Sequence, residues 1–306
     1  MLLGKKYKEK IKRTLFRNYF FHRIVTGFNI MKIKKKIDQV EKEAREIGIV
    51  LYGPECVQKK HQKSKICHIV GSGWSVEESK KIISSQPKDF VIGFNFSCLL
   101  GVKFDIYMLE FGGQACKEIA ASQKKAFDRF VNKNNTTTLF KNLWEDKNDI
   151  KYAYNLYGDD VYYVRDISIP CFHERYLPQS ISKLFEKNVK YFMQFKSTVT
   201  TCISVARYLG FKEIVLHGID FGGGYFFDRA EYNDYELFKP PVGDNSHAYR
   251  ASIRAKDSVH PTAASASGVK NALPVIREKL LEEGISLYCA SSSSPCAKVL
   301  PVFKGE

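Results

Sequence analysis

Two histidines in one polar loop, a tyrosine upstream of them, and hydroxyl, amide and carboxylate side chains placed after apolar runs are the residues here whose types and spacing could do chemistry. A neutral imidazole near pH 7 is the natural general base for a hydroxyl nucleophile. His247 and His260 lie in the loop from Tyr232 to Thr262, and His260 precedes a predicted helix, which presents it at a sheet edge. An inert surface histidine fits the same position. Tyr225 carries a phenol able to hydrogen-bond a departing phosphate, and equally able to fill a core.

Anion chemistry is expected at two places. Ile69-Val70-Gly71-Ser72-Gly73-Trp74-Ser75 runs from a strand through a glycine turn into a helix, with Ser75 and Glu78 spaced as a capping box. Backbone amides and a helix dipole there favour a phosphate, although an ordinary βα turn with steric glycines also fits. Ser197 and Thr198 likewise stand at a predicted helix start. Asn95 follows the run Phe90 to Phe94 at a strand's carboxyl end, where an amide can read a base, a ribose or a sugar hydroxyl, or simply turn the chain. Gly218 and Asp220 close a further strand beside Gly222 to Gly224; without a fourth carboxylate or a His partner nearby, Asp220 fits a ribose or sugar ligand better than a metal ligand.

These residues need a frame of alternating strands and helices. Expected strands are 66–70, 90–94, 106–109, 161–164, 214–217 and 285–289; expected helices are 77–84, 114–132, 198–209 and 267–283. The alternation implies an α/β fold with a mostly parallel, Rossmann-like sheet flanked by helices. The aromatic and basic stretch 172–195 reads as helical, giving a helical lid insert at about 165–195, with Arg175 and Lys183 available to attract an anion. Two parts are expected: 1–65, a basic amphipathic arm followed by a spacer helix from Ile37 to Ile47, and 66–306, the domain that carries the chemistry.

Charge separates the same two parts. The chain has a net charge of +15, and residues 1–65 hold 18 Lys and Arg against 6 Asp and Glu, leaving 30 against 27 for the remainder. Leu15, Phe16, Tyr19, Phe20, Ile24, Val25 and Phe28 recur at helical spacing among Lys12, Arg13, Arg17 and Arg23, a pattern that lies on an anionic leaflet or packs its stripe on the main domain. Basic character confined to one arm argues against a nucleic-acid partner. No uncharged apolar run approaches the roughly 20 residues of a membrane span, and lysines follow Met1-Leu2-Leu3-Gly4 at once, so a cytoplasmic protein peripherally associated with the inner membrane is expected. The eight cysteines form no C-x-x-C pair and read as buried free thiols, with no metal site.

In order, Gly-Ser-Gly-Trp-Ser at 71–75, Asn95, Ser197-Thr198, Leu-Gly-Phe-Lys-Glu-Ile at 209–214, Gly-Ile-Asp-Phe at 218–221, Tyr225-Phe226-Phe227-Asp228, Asp-Asn-Ser-His at 244–247 and Leu-Tyr-Cys at 287–289 resemble the bacterial sialyltransferases of glycosyltransferase family 42 over about residues 66–296. The resemblance implies a GT-A-variant fold and a metal-independent, inverting transfer of sialic acid or a related nonulosonic acid from a CMP-sugar donor to a glycan hydroxyl, in surface polysaccharide or lipooligosaccharide synthesis. By that likeness the 71–75 loop holds the phosphate, Asn95 and Thr198 touch the donor, Gly218 and Asp220 the nucleotide, Tyr225 the leaving phosphate, and His260 is the base with His247 its rival. It implies no cofactor and a possible homo-oligomer. Gly222 stands where the family has a second tyrosine, and Leu109 or Glu110 where it has an asparagine, which leaves Kdo, pseudaminic and legionaminic acid open as the transferred sugar. A pterin pyrophosphokinase-like enzyme and a non-catalytic nucleotide-binding protein of the motility-accessory type are the alternatives.

Overall fold

The computed structural model describes residues 19–57, 64–86, 88–110, 117–143, 149–186, 190–239 and 268–305. Its strands are β1 (Ile66–Val70), β2 (Phe90–Phe94), β3 (Ile106–Glu110), β4 (Thr137–Lys141), β5 (Tyr162–Tyr163), β6 (Asp166–Ser168), β7 (Phe192–Gln194), β8 (Glu213–His217) and β9 (Ser286–Cys289). The helices, apart from short 3-10 turns, are α1 (Tyr19–Glu46), α2 (Val76–Ser85), α3 (Lys117–Phe130), α4 (Asp149–Tyr157), α5 (Leu177–Ser182), α6 (Thr198–Leu209) and α7 (Val269–Glu282). Seven strands form one parallel sheet in the order β5-β4-β3-β2-β1-β8-β9, and β6 pairs with β7 in a separate parallel pair.

Parallel strands covered by helices are buried on both faces, which is why β1, β2, β3 and β8 read as nearly continuous apolar runs. The chain leaves β1 toward β2 on one side and returns with β8 on the other. That reversal opens a crevice over the carboxyl ends of the strands.

The expected strands and the helices at 77–84, 198–209 and 267–283 coincide with these to within a residue or two, the helix expected at 114–132 spans Lys117–Phe130, and three strands and α4 are added. β4 reads as polar surface because of Thr137, Thr138 and Lys141, yet Thr138 and Lys141 are buried. β6 and β7 are three residues each, too short to display a period. The 165–195 stretch therefore contains strand as well as α5, and Ile167, Ile181 and Phe192 join the core beneath the main sheet. From Tyr19 on, helix α1 runs unbroken into the portion expected to be a spacer, which buries Ile37, Val40 and Ala44; Lys12, Arg13, Leu15, Phe16 and Arg17 of the expected amphipathic arm lie outside the described residues. Tyr52 donates its amide to Tyr163 and accepts from that of Arg165, at 2.8 and 2.7 Å, tying the following loop to β5. Described cysteines are free, all buried except the half-buried Cys56; Cys116 lies outside the described residues.

One polar chain crosses the sheet. His68 Nδ1 lies 2.9 Å from His217 Nε2, His68 Nε2 is 3.1 Å from Asp89 Oδ2, and His217 Nδ1 is 2.9 Å from Ser79 Oγ. With both rings neutral, protons run from Ser79 through His217 and His68 to the Asp89 carboxylate. Burial lowers the pKa of both histidines, that of His217 well below its ordinary value with His68 adding to the effect; at His68 burial outweighs the opposing pull of Asp89. The unfolded chain therefore takes up protons that the folded one refuses. Stability should be full above the ordinary imidazole value of about 6.5 and fall as pH drops from there toward the depressed folded values. Urea midpoints between pH 8 and 5 check this, and a flat profile below pH 6.5 would refute it.

Candidate active site

The carboxyl ends of β1, β2, β3, β4 and β8, with the start of α6, enclose a cleft of about 350 Å³. The non-glycine residues of positive φ among the described ones, Asn95 (56°), Asn142 (63°), Lys196 (56°) and Phe221 (60°), all line it. Left-handed backbone costs energy in L-residues and persists where surrounding structure over-determines it, a pattern that clusters at functional sites. Here it lets strands end abruptly and turn side chains over the sheet edge.

One wall is built from two loops pressed backbone to backbone. A Cβ on Gly71 would sit 2.8 Å from the Gly218 carbonyl, and one on Gly73 would sit 2.5 Å from an Asp220 oxygen. Gly218 itself has φ of +63°. The amides of Gly71 and Gly73 donate to the carbonyls of His217 (2.8 Å) and Gly218 (2.9 Å). Buried Asp220 clasps the loops together: Oδ2 accepts from the Ser75 amide (2.7 Å), and Oδ1 accepts from the hydroxyls of Ser75 and Ser294 (2.6 Å each). Burial raises the pKa of Asp220, and these donors pull it back only in part.

The expected capping box is absent as a consequence. Ser75 adopts α-helical dihedrals without a side-chain cap bond and gives its hydroxyl to Asp220, the stronger acceptor. Glu78 accepts instead from Ser291, at 2.7 Å, and from Ser293. Gly71, Gly73 and Ser75 thus spend their amides on the neighbouring strand and its loop, away from the crevice.

The floor is an ionic network. Lys141, 1% exposed, donates from Nζ to Glu110 Oε2 (2.6 Å) and Gln194 Oε1 (2.9 Å). Thr198 Oγ1 donates to the same Glu110 oxygen (2.6 Å), and Gln194 Nε2 reaches Asp166 Oδ2 (3.2 Å). Burial pushes the Glu110 pKa up, but Lys141, then Thr198 and Asn95, outweigh it and hold the carboxyl below its usual value. With its proton given to Glu110, the Thr198 hydroxyl has only acceptor capacity left for a ligand. Ser197 and Thr198 open the 12-residue α6, whose first-turn amides have no carbonyl four residues back within the helix, that of Thr200 donating to the Ser197 carbonyl at 3.1 Å. Beside them, burial lowers the pKa of Lys196.

Of the sequence-predicted residues, Gly73, Asn95, Ser197, Thr198, Gly218, Asp220 and Tyr225 line one cleft. Gly71, Ser72 and Ser75 stand behind its wall, where the Ser72 hydroxyl is buried without a hydrogen-bond partner. The Tyr225 ring stacks on Phe227, 4.9 Å between centroids. His247 and His260 lie outside the described residues. Sequence reasoning passed over Lys141, Asn142 and Gln194, whose signal, a polar residue closing an apolar run, is weak.

Two stability effects follow from this geometry. Lys141→Met, which strands the Glu110 carboxylate, should cost about 2–4 kcal/mol in urea unfolding, and Glu110→Gln in the same chain should restore part of it. Asp220→Ala removes the acceptor for three donors and should cost about 2–3 kcal/mol. Unchanged urea midpoints would contradict both.

No protein-family model matches the chain, and no curated sequence is significantly similar to it. Solved structures similar to it include a variant of the sialyltransferase CST-II in complex with CMP, 20% identical over 79% of this chain and 87% of that one, with a TM-score of 0.45. The same sialyltransferase in complex with a trisaccharide acceptor and CMP is 19% identical over 78% and 86%, with a TM-score of 0.43. CstII from Campylobacter jejuni in complex with the substrate analogue CMP-3FNeuAc is 17% identical over 79% and 87%, with a TM-score of 0.43. Likenesses this distant do not by themselves assign a reaction, which has to come from the site.

Proposed function

We propose that this chain is a glycosyltransferase that moves sialic acid or a related nonulosonic acid from a CMP-activated donor to a glycan hydroxyl, with inversion and without a metal ion. The observation that carries the reading is the cleft at the β1/β8 reversal, where the α6 N-terminus with Ser197, Thr198 and Lys196 faces the Gly218–Gly224 loop and Tyr225. Helix amides and an ammonium suit an anionic ligand, while Asn95, Thr198 and the turn backbone offer hydrogen bonds to hydroxyls.

In this reading the acceptor oxygen bonds to the anomeric carbon as the bond from that carbon to the CMP phosphate oxygen breaks. CMP departs with the electron pair, and the acceptor's proton passes to an imidazole, His260 or its rival His247. Tyr225 donates to the departing phosphate oxygen, and the α6 amides offset its charge. Asp220 acts at one remove, through the two loops it holds in place. Ionised Glu110 takes the Thr198 proton and so keeps that side chain an acceptor, suited to a hydroxyl of the ligand, while the amides and Lys196 beside it meet the anionic part.

The test is release of free nucleotide from CMP-sialic acid, CMP-Kdo, CMP-pseudaminic acid, UDP-sugars and ATP in excess EDTA and in excess magnesium. One CMP donor should release CMP in EDTA, and His260→Ala should lower that rate at least about a hundredfold. Turnover of ATP with magnesium alone, or CMP binding without any turnover, ends the reading.

A further inference from the structure

We infer that the outer face of α1 is a docking surface for an anionic lipid bilayer, independent of the reaction in the cleft. Helix α1 carries two apolar faces. Its inner face packs on the domain: the half-exposed Tyr19 and buried His22 rings lie 5.5 and 4.5 Å from that of Tyr176, and Thr26, Ile37, Val40 and Ala44 are buried. Its outer face presents Phe20 (71% exposed), Ile24 (52%), Phe28 (60%) and Met31 (48%) to solvent. At 3.6 residues per turn these four lie within about 80° of one another, so they form one stripe. Single exposed apolar residues are ordinary on a protein surface, whereas a row of four along one helix is an interaction site.

Charge selects the partner. Exposed Arg23, Lys32 and Lys35 border the stripe, and residues 1–18, immediately before the described helix, contain seven Lys and Arg against a single Glu. An apolar row edged by cations is the pattern of a helix lying in the headgroup region of an anionic leaflet. A second copy of this chain would bring like charges together across the contact, and a nucleic acid would leave Phe20, Ile24, Phe28 and Met31 unused. The burial of Ile37, Val40 and Ala44 further along the same helix makes the contact rigid with the domain, so bilayer binding also sets the domain's orientation.

Co-sedimentation of the full chain with vesicles of phosphatidylglycerol and phosphatidylethanolamine, and with phosphatidylcholine alone, reads this directly. Binding to the anionic vesicles should exceed binding to phosphatidylcholine at least tenfold and weaken with added salt. The exposed-face variant Phe20→Asp/Ile24→Asp/Phe28→Asp, with circular dichroism confirming that it folds, should bind at least tenfold more weakly, as should Arg23→Glu/Lys32→Glu/Lys35→Glu. Three results would overturn the inference: wild type remaining in the supernatant, the aspartate variant binding as tightly as wild type, or the aspartate variant abolishing a dimer seen in the absence of vesicles. Donor turnover does not enter the test, so its outcome and that of the transferase reading stay separate.

Discussion

A carboxylate with almost no access to water holds this site together. Asp220 takes three hydrogen bonds from Ser75 and Ser294, and through them the turn after β1, the turn after β8 and the segment after β9 meet at one point. Burying a charge is expensive unless its lone pairs are satisfied, so the donors cannot drift without exposing the cost. The glycines at 71, 73 and 218 are what that proximity demands, because a side chain at 71 or 73 would collide with carbonyl or carboxylate oxygens and one at 218 with Val76 Cβ. Close packing at the point of strand reversal is thereby converted into a stiff cleft wall.

The cleft floor follows the same logic with opposite charges. Lys141 is buried where β4 ends and is stable there only because Glu110 and Gln194 receive it. The network reaches from β3 and β4 into α6 through Thr198 and into the second strand pair through Gln194 and Asp166. Side chains locked by such bonds are pre-oriented before a ligand arrives, and left-handed residues at the rim point the same way, since strained backbone is kept where it positions something. The floor is therefore rigid, and the hydrogen-bonding sense of Thr198 is imposed by its neighbour.

Helix α1 obeys a different constraint. A helix on a domain surface ordinarily buries one face and wets the other. Here both faces are apolar over the first turns, so one of them stays exposed to water unless something covers it. The cations along that exposed face and in the residues before it restrict what the cover can be, without reference to the chemistry of the cleft.

Local signals in the sequence determined the alternating strand and helix order, the parallel sheet, the glycine turns and seven of the residues that line the cleft. They did so because apolar runs, helix starts and glycines act over a few neighbouring positions. Tertiary structure alone decided the rest. The Ser75–Glu78 spacing reads as a cap, but Asp220, 145 positions away from Ser75, is the better acceptor and takes the serine. Lys141 reads as a surface lysine until Glu110, 31 positions away, is brought to 2.6 Å. Tyr19, Phe20, Ile24 and Phe28 read as one apolar stripe until the fold turns Tyr19 against Tyr176 and leaves Phe20, Ile24 and Phe28 in solvent. Hydrogen-bond partners and solvent exposure depend on what the fold brings from elsewhere in the chain, and no local pattern of residue types encodes that.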